Sequence, residues 1–210
     1  LQKSQILADA AMGLGFKYLN YDLSKNFYMP KLDKKTKERI KKLDYKDLQD
    51  IVISLASKEK TAYDFILINY LDKESGEQDL FEATKADLEL IFRKRHKGFS
   101  DELQIANMLG ACIKRINEFT KISKNKVLEA ELLLYILQIP FSLTTKMFGT
   151  CFTQYDTKVA MIVKRLITIV TKKLHEDYKI EYEDKINEYL QILHKISNHI
   201  DTVYNLPKAI

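Results

Sequence analysis

Lys126-Val127-Leu128-Glu129-Ala130-Glu131-Leu132-Leu133-Leu134-Tyr135-Ile136-Leu137-Gln138-Ile139-Pro140 is the stretch that decides the fold. Val127, Leu128, Leu132, Leu133, Tyr135, Ile136 and Ile139 recur at helical spacing and wrap round most of the cylinder. A helix apolar on that much of its girth is central in its domain. The run is far too short to span a membrane. Ser123 reads as its N-cap, and Pro140 as its end or a kink, since proline lacks the N–H and clashes with the preceding turn.

The same plan continues on either side. Asp33 caps a charged helix through Leu43, and Asp44 caps a second with Leu48, Ile51, Val52 and Leu55 on one face. Ser57-Lys58-Glu59-Lys60 breaks it. A third helix is expected to turn Tyr63, Ile66, Leu67, Tyr70 and Leu71 inward. After a polar loop from Asp72 to Asp79, a fourth runs from Leu80 to Lys97 and ends at Gly98, the expected C′ residue. Ser100 caps a fifth carrying Ile105, Met108, Leu109, Cys112, Ile113, Ile116 and Phe119.

Beyond Pro140, the residues Phe141 to Tyr155 read as a bend and a loop. A strongly amphipathic helix follows over Thr157 to Tyr178, with Val159, Ile162, Val163, Leu166, Val170 and Leu174 as its stripe. The last covers Tyr182 to Tyr204, through Ile186, Tyr189, Leu190, Leu193, Ile196, Ile200 and Val203. No strand needs to be invoked. The expected fold is therefore all-α, with seven to nine helices.

Breaks this short favour antiparallel neighbours, so the helices are expected to stack as hairpins. Their unequal lengths show no period of the tetratricopeptide or ankyrin kind. An irregular α-solenoid of HEAT-like hairpins is the first expectation and a compact helical bundle the alternative. Residues 1–30 read differently: Gly13 and Gly15 break a weak pattern, aromatics crowd the segment after them, and Met29-Pro30 opens Lys31 like the start of a bacterial reading frame. They are expected to form a peripheral extension that docks by its aromatics, with 31–210 a single helical domain.

Over 210 residues, the hydrophobic fraction of 46% and the charged fraction of 30% are those of an ordinary globular protein. With 34 Lys and Arg against 29 Asp and Glu, the formal charge of +5 is a mild excess. It is no polyanion-binding signature in itself. Cys112 and Cys151 sit in apolar surroundings and read as buried thiols of a reducing cytoplasm. The apolar patch from Ile6 to Leu14, interrupted by Asp9, makes a poor secretory signal. A cytoplasmic location with no membrane attachment is expected.

Residues with chemistry are present but not in catalytic sets. His175 is expected near the end of a helix, where a cation complements the dipole. His194 and His199 stand about 140° apart on one helix, whereas a metal pair wants a spacing of three or four. Glu129 and Glu131 lack the Glu-x-x-His partners of di-iron bundles. Gly13-Leu14-Gly15 matches no phosphate-binding fingerprint. No cofactor or metal is expected, and no catalytic residue; were there activity, His175, Glu131 and Tyr135 would be the first to inspect.

The densest positive charge is Arg93-Lys94-Arg95-His96-Lys97, expected at the C-terminal turn of the fourth helix. Lys158, Arg165 and Lys172 are spaced by seven beside an apolar stripe. Arg93, Lys94, Arg95, Lys97, Lys158, Arg165 and Lys172 are therefore the candidate basic surface, read either as phosphate contacts or as a solvated helix face. Interleaved Glu38, Glu89 and Glu176 favour the solvated face.

The segment from Arg115 to Ser123, followed by Leu128 to Leu137, resembles an uncharacterised bacterial helical family known only as a domain of unknown function. There a helix ending in a Phe-Lys turn precedes a leucine-rich helix ending in an aromatic turn, and Leu43 to Ser57 and Leu80 to Arg95 fit its helix order. The resemblance spans Leu43 to Ile196 and implies helical hairpins without a known activity; the glycine bend and threonines of Thr144 to Thr153 depart from it. The expectation that follows is a non-catalytic protein–protein interaction or scaffold domain whose partner is a protein or peptide, or a second copy. The alternative is a nucleic-acid-binding protein that uses the basic helix faces.

Overall fold

A computed structural model describes residues 32–72, 75–143 and 145–210. Among the described residues there are nine α-helices and no strand, as the periodicity requires. The expected extension over residues 1–30 lies outside the described residues. The chain divides into two units between Leu48 and Gln49.

In the first unit, α1 (Lys34–Ile40) starts where Asp33 Oδ1 accepts the Thr36 amide at 2.5 Å. Asp44 Oδ1 likewise accepts from Lys46 N at 2.9 Å and opens α2 (Tyr45–Lys58), which runs across the division. Both caps are legible in the sequence. The break after α2 is one residue, Glu59, in extended conformation, and α3 (Lys60–Ile66) follows at once. It runs into a wide turn of π-helix over Leu67–Leu71.

That turn changes which side chains face inward. Each of its hydrogen bonds spans five residues instead of four, so the apolar stripe is rotated relative to a regular helix. Ile68 is the buried residue and Tyr70 and Leu71 are exposed rather than inward as expected; Tyr63, in the regular helix before the turn, is exposed as well.

The core belongs to the helices that follow. They are α4 (Gly76–Arg93), α5 (Asp101–Ile122), α6 (Lys126–Ser142), α7 (Thr153–Lys172), α8 (Glu176–Ile196) and the short α9 (Asp201–Tyr204). Each of α4 to α8 packs on its chain neighbour, and α5 also packs on α7. Leu132, Leu133 and Ile136 of α6 are completely buried, as are Leu109 and Ile116 of α5 and Leu166 of α7. The sequence reading of α6 as the central helix is the observed one. Pro140 lies in its last turn, and Phe141 beyond it stacks on Tyr189 of α8 at 3.9 Å between ring centroids.

Several boundaries differ from expectation. Asn125, not Ser123, caps α6: its Oδ1 accepts from Val127 N at 3.0 Å and Leu128 N at 3.3 Å. Ser123 Oγ instead donates to Glu77 Oε1 at 2.6 Å, and Asn125 Nδ2 donates to Glu77 Oε2 at 3.0 Å. The start of α4 thereby clamps the α5–α6 connection. Similarly, α7 begins four residues early and stops at Lys172. His175, expected at a helix end, is the N-cap of α8, with Nδ1 accepting the Asp177 amide at 3.5 Å.

The expected single last helix is broken at Ser197. This buried residue donates its hydroxyl to Oδ1 of the buried Asp156, and the Gly149 amide donates to the same oxygen at 2.9 Å. One carboxylate therefore ties the loop before α7 to the turn after α8.

Candidate interaction surfaces

The candidate basic residues are spread over two elements with different fates. On α7, Arg165 Nε and Nη2 donate to Glu129 Oε1 of α6 at 3.0 and 2.7 Å, and its Nη1 donates to Asn117 Oδ1 of α5 at 2.7 Å. Lys126 Nζ meets the other oxygen, Oε2, at 2.6 Å. Burial pushes the Glu129 carboxyl up, but the hydrogen bonds and charges of Lys126 and Arg165 outweigh it and hold it below the ordinary carboxylate range. Arg165 is thus committed inside the fold. The seven-residue spacing with Lys158 and Lys172 does not make a continuous solvent-facing stripe.

The run from Arg93 to Lys97 has the opposite fate. The helix α4 ends at Arg93, five residues before the expected Gly98, so only Arg93 belongs to it. His96 Nε2 lies 2.9 Å from the Ile91 carbonyl. Lys97 offers its own carbonyl to Asn107 Nδ2 at 2.8 Å. Lys94, Arg95 and Lys97 are exposed and form no ion pair with any described residue, while Arg93 reaches Glu89 only at 3.7 Å.

The residue that composition and spacing miss is Phe99, in the same loop. It is 86% exposed, the most exposed large apolar side chain among the described residues. Its ring meets Phe152 at 5.5 Å with the planes at 70°. In sequence, nothing distinguishes this aromatic from one that packs in a core.

A second surface is apolar. No residue of α2 is buried, and Ile51, Val52 and Leu55 are 44%, 45% and 48% exposed. Their stripe was legible, but its covering is absent among the described residues. On α3 and the wide turn after it, Tyr63, Phe65, Tyr70 and Leu71 are exposed as well. An exposed apolar stripe along a helix is the kind of surface that marks interaction sites.

Of the residues considered for catalysis, Glu131 and Tyr135 line one shallow pocket of about 220 Å³ with Phe81, Lys85, Leu134 and Gln138. His175 is not among its lining. Tyr135 donates its hydroxyl to Glu89 at 3.2 Å, and Lys85 Nζ sits over both the Phe81 and Tyr135 rings, at 5.5 and 5.4 Å. Glu129 faces the core and Glu131 the solvent, since two residues along a helix turn about 200°. His194 is held by Asn198 and the Pro207 carbonyl, at 3.1 Å each, whereas His199 is exposed. Cys112 is buried as expected, but Cys151 is exposed because it precedes α7 in a loop.

No helix among the described residues is long and apolar enough to cross a membrane. Comparison with protein-family models, with curated proteins and with solved structures finds no match for the chain.

Proposed function

We propose that this chain is a non-catalytic helical interaction domain that takes a protein partner on the apolar faces of α2 and α3. The observation that carries this reading is α2 itself: a fourteen-residue amphipathic helix with none of its residues buried. Leaving three branched aliphatic side chains about half exposed forgoes roughly 1 kcal/mol or more apiece relative to full burial. A partner that covers the stripe recovers that free energy.

Lysates passed over the intact chain and over a Val52→Glu, Leu55→Glu variant test the reading. Both positions are exposed, so the variant should melt as the parent does. The expected result is a defined partner held by the parent and lost by the variant. An identical set of bound proteins from both chains would sink the proposal. The competing reading through basic helix faces is weakened at Arg165, whose guanidinium is engaged by Glu129 and Asn117.

A further inference from the structure

We propose that the loop from Lys94 to Ser100 is a contact site for single-stranded nucleic acid. Phe99 serves as the platform for one unstacked base, and Lys94, Arg95 and Lys97 serve as phosphate contacts. This site is separate from the α2 and α3 faces and stands or falls independently of them.

The first observation is charge without counter-charge. Lys94, Arg95 and Lys97 project from non-helical backbone, exposed and in no ion pair among the described residues, whereas the Arg115, Lys126 and Arg165 side chains are each bound to a carboxylate. The second is the exposed ring of Phe99, two residues beyond Lys97 in the same loop. Phe152 approaches it at a steep angle, which supports the ring without covering it.

The third observation is that the loop is built to hold this arrangement. His96 is fixed to the Ile91 carbonyl, and Asn107 to that of Lys97. Gly98 has φ +147°, and a Cβ there would come within 2.8 Å of the Gln104 amide nitrogen. Ser100 Oγ then accepts the Leu103 amide as the cap of α5. The aromatic ring and the cations are therefore displayed on restrained backbone, which lowers the ordering cost of binding.

An aromatic face among unpaired cations matches a phosphate chain with accessible bases, and stacking on such a ring is worth roughly 1–3 kcal/mol per base. A duplex offers the same phosphates, but its bases are already stacked, so Phe99 would gain nothing. An anionic bilayer fits less well. A single ring is a weak anchor for a bilayer.

Fluorescence anisotropy of the full chain with short labelled oligouridine and oligothymidine tests the proposal, with a duplex of equal length and phosphatidylserine vesicles as the other arms. Single strands should bind at low salt, with log affinity falling against log salt at a slope of about −2, from about 0.7 for each of the phosphates met by Lys94, Arg95 and Lys97. Phe99→Ala should weaken single-strand binding by roughly 5- to 150-fold, while Phe99→Tyr retains it. Lys94→Glu with Arg95→Glu should reduce both the affinity and the slope. All these positions are exposed, and circular dichroism checks that the variants keep the parent fold. Absence of single-strand binding at low salt overturns the proposal. So does equal binding of duplex and single strand with no response to Phe99→Ala, which would be charge attraction alone. Phe99-dependent binding to vesicles without binding to single strands overturns it in favour of a membrane surface.

Discussion

Arg165 and Glu129, on neighbouring helices, share one carboxylate oxygen through two guanidinium donors, at 3.0 and 2.7 Å. The carboxylate is only 5% exposed, while Arg165 keeps 28% of its side chain in solvent. The pair joins α6 to α7 at the point where Asn117 brings in α5.

Glu129→Gln should therefore destabilise the chain by about 1–3 kcal/mol, less than the roughly 3–5 kcal/mol of a fully buried pair because Arg165 and Lys126 retain water. The carboxyl is lowered in the folded state. Its contribution is accordingly present above the ordinary carboxylate pKa and is lost as pH falls through the lowered folded value. Urea unfolding at neutral and at acidic pH measures both effects. The parent should lose stability toward acid more steeply than Glu129→Gln, and parallel acid profiles would show that the pair contributes nothing.

Leu133 and Val52 are both aliphatic residues on helical stripes, yet acidic substitutions at them should have opposite outcomes. Leu133 is completely buried, and Leu133→Asp places a charge without a partner in the core at a cost of several kcal/mol. That variant should be unfolded by circular dichroism, whereas Val52→Glu should melt within about 0.5 kcal/mol of the parent.

Two glycines should respond to alanine in opposite directions. Gly149 has φ +70°, and a Cβ there would lie 3.0 Å from the Ile196 carbonyl oxygen, so Gly149→Ala is strained twice over and should cost about 1–2 kcal/mol. Gly110 lies within α5 with nothing inside 4 Å of an added Cβ. Gly110→Ala should stabilise by roughly 0.5–1 kcal/mol. Thermal melts of the two variants give the signs directly.

The cysteines should separate by reactivity. Burial pushes the Cys112 thiol up to about 12, while Cys151 is exposed. Since the thiolate is the nucleophile, a thiol reagent at neutral pH should label one position quickly and the other only on unfolding. Cys151→Ser should abolish the fast phase; a fast phase that survives it would mean that Cys112 is accessible.

What the sequence made legible was much of what depends on local period and local capping, although the cap of α6 is Asn125 rather than Ser123. The girth of apolar residues in α6, the stripe of α7 and the caps Asp33, Asp44 and Ser100 are all as read. What it hid depends on partners distant in the chain. The seven-residue spacing of Arg165 carries no trace of Glu129, which lies 36 residues earlier. The end of α4 is displaced from Gly98 because His96 turns back to the Ile91 carbonyl. Tyr70 and Leu71 face outward because they lie in a π turn, which adds a residue that no regular period includes. Of the two candidate surfaces, the α2 stripe was visible as a pattern and wrong only in its assumed covering. Phe99 was invisible, because a ring left in solvent has the same letter as one in a core.

Asp156 accepts from Gly149 on one side and from Ser197, 41 residues further along the chain, on the other. Neither turn can let go of that oxygen without leaving a buried acceptor short of a donor. The two turns are therefore one cooperative opening unit in the native ensemble. The Gly149 amide, although it lies in a loop, should exchange its hydrogen as slowly as the helix ends it joins, and Ser197→Ala should speed that exchange. A protease cutting near Cys151 would then report on the integrity of the C-terminal segment as much as on its own site.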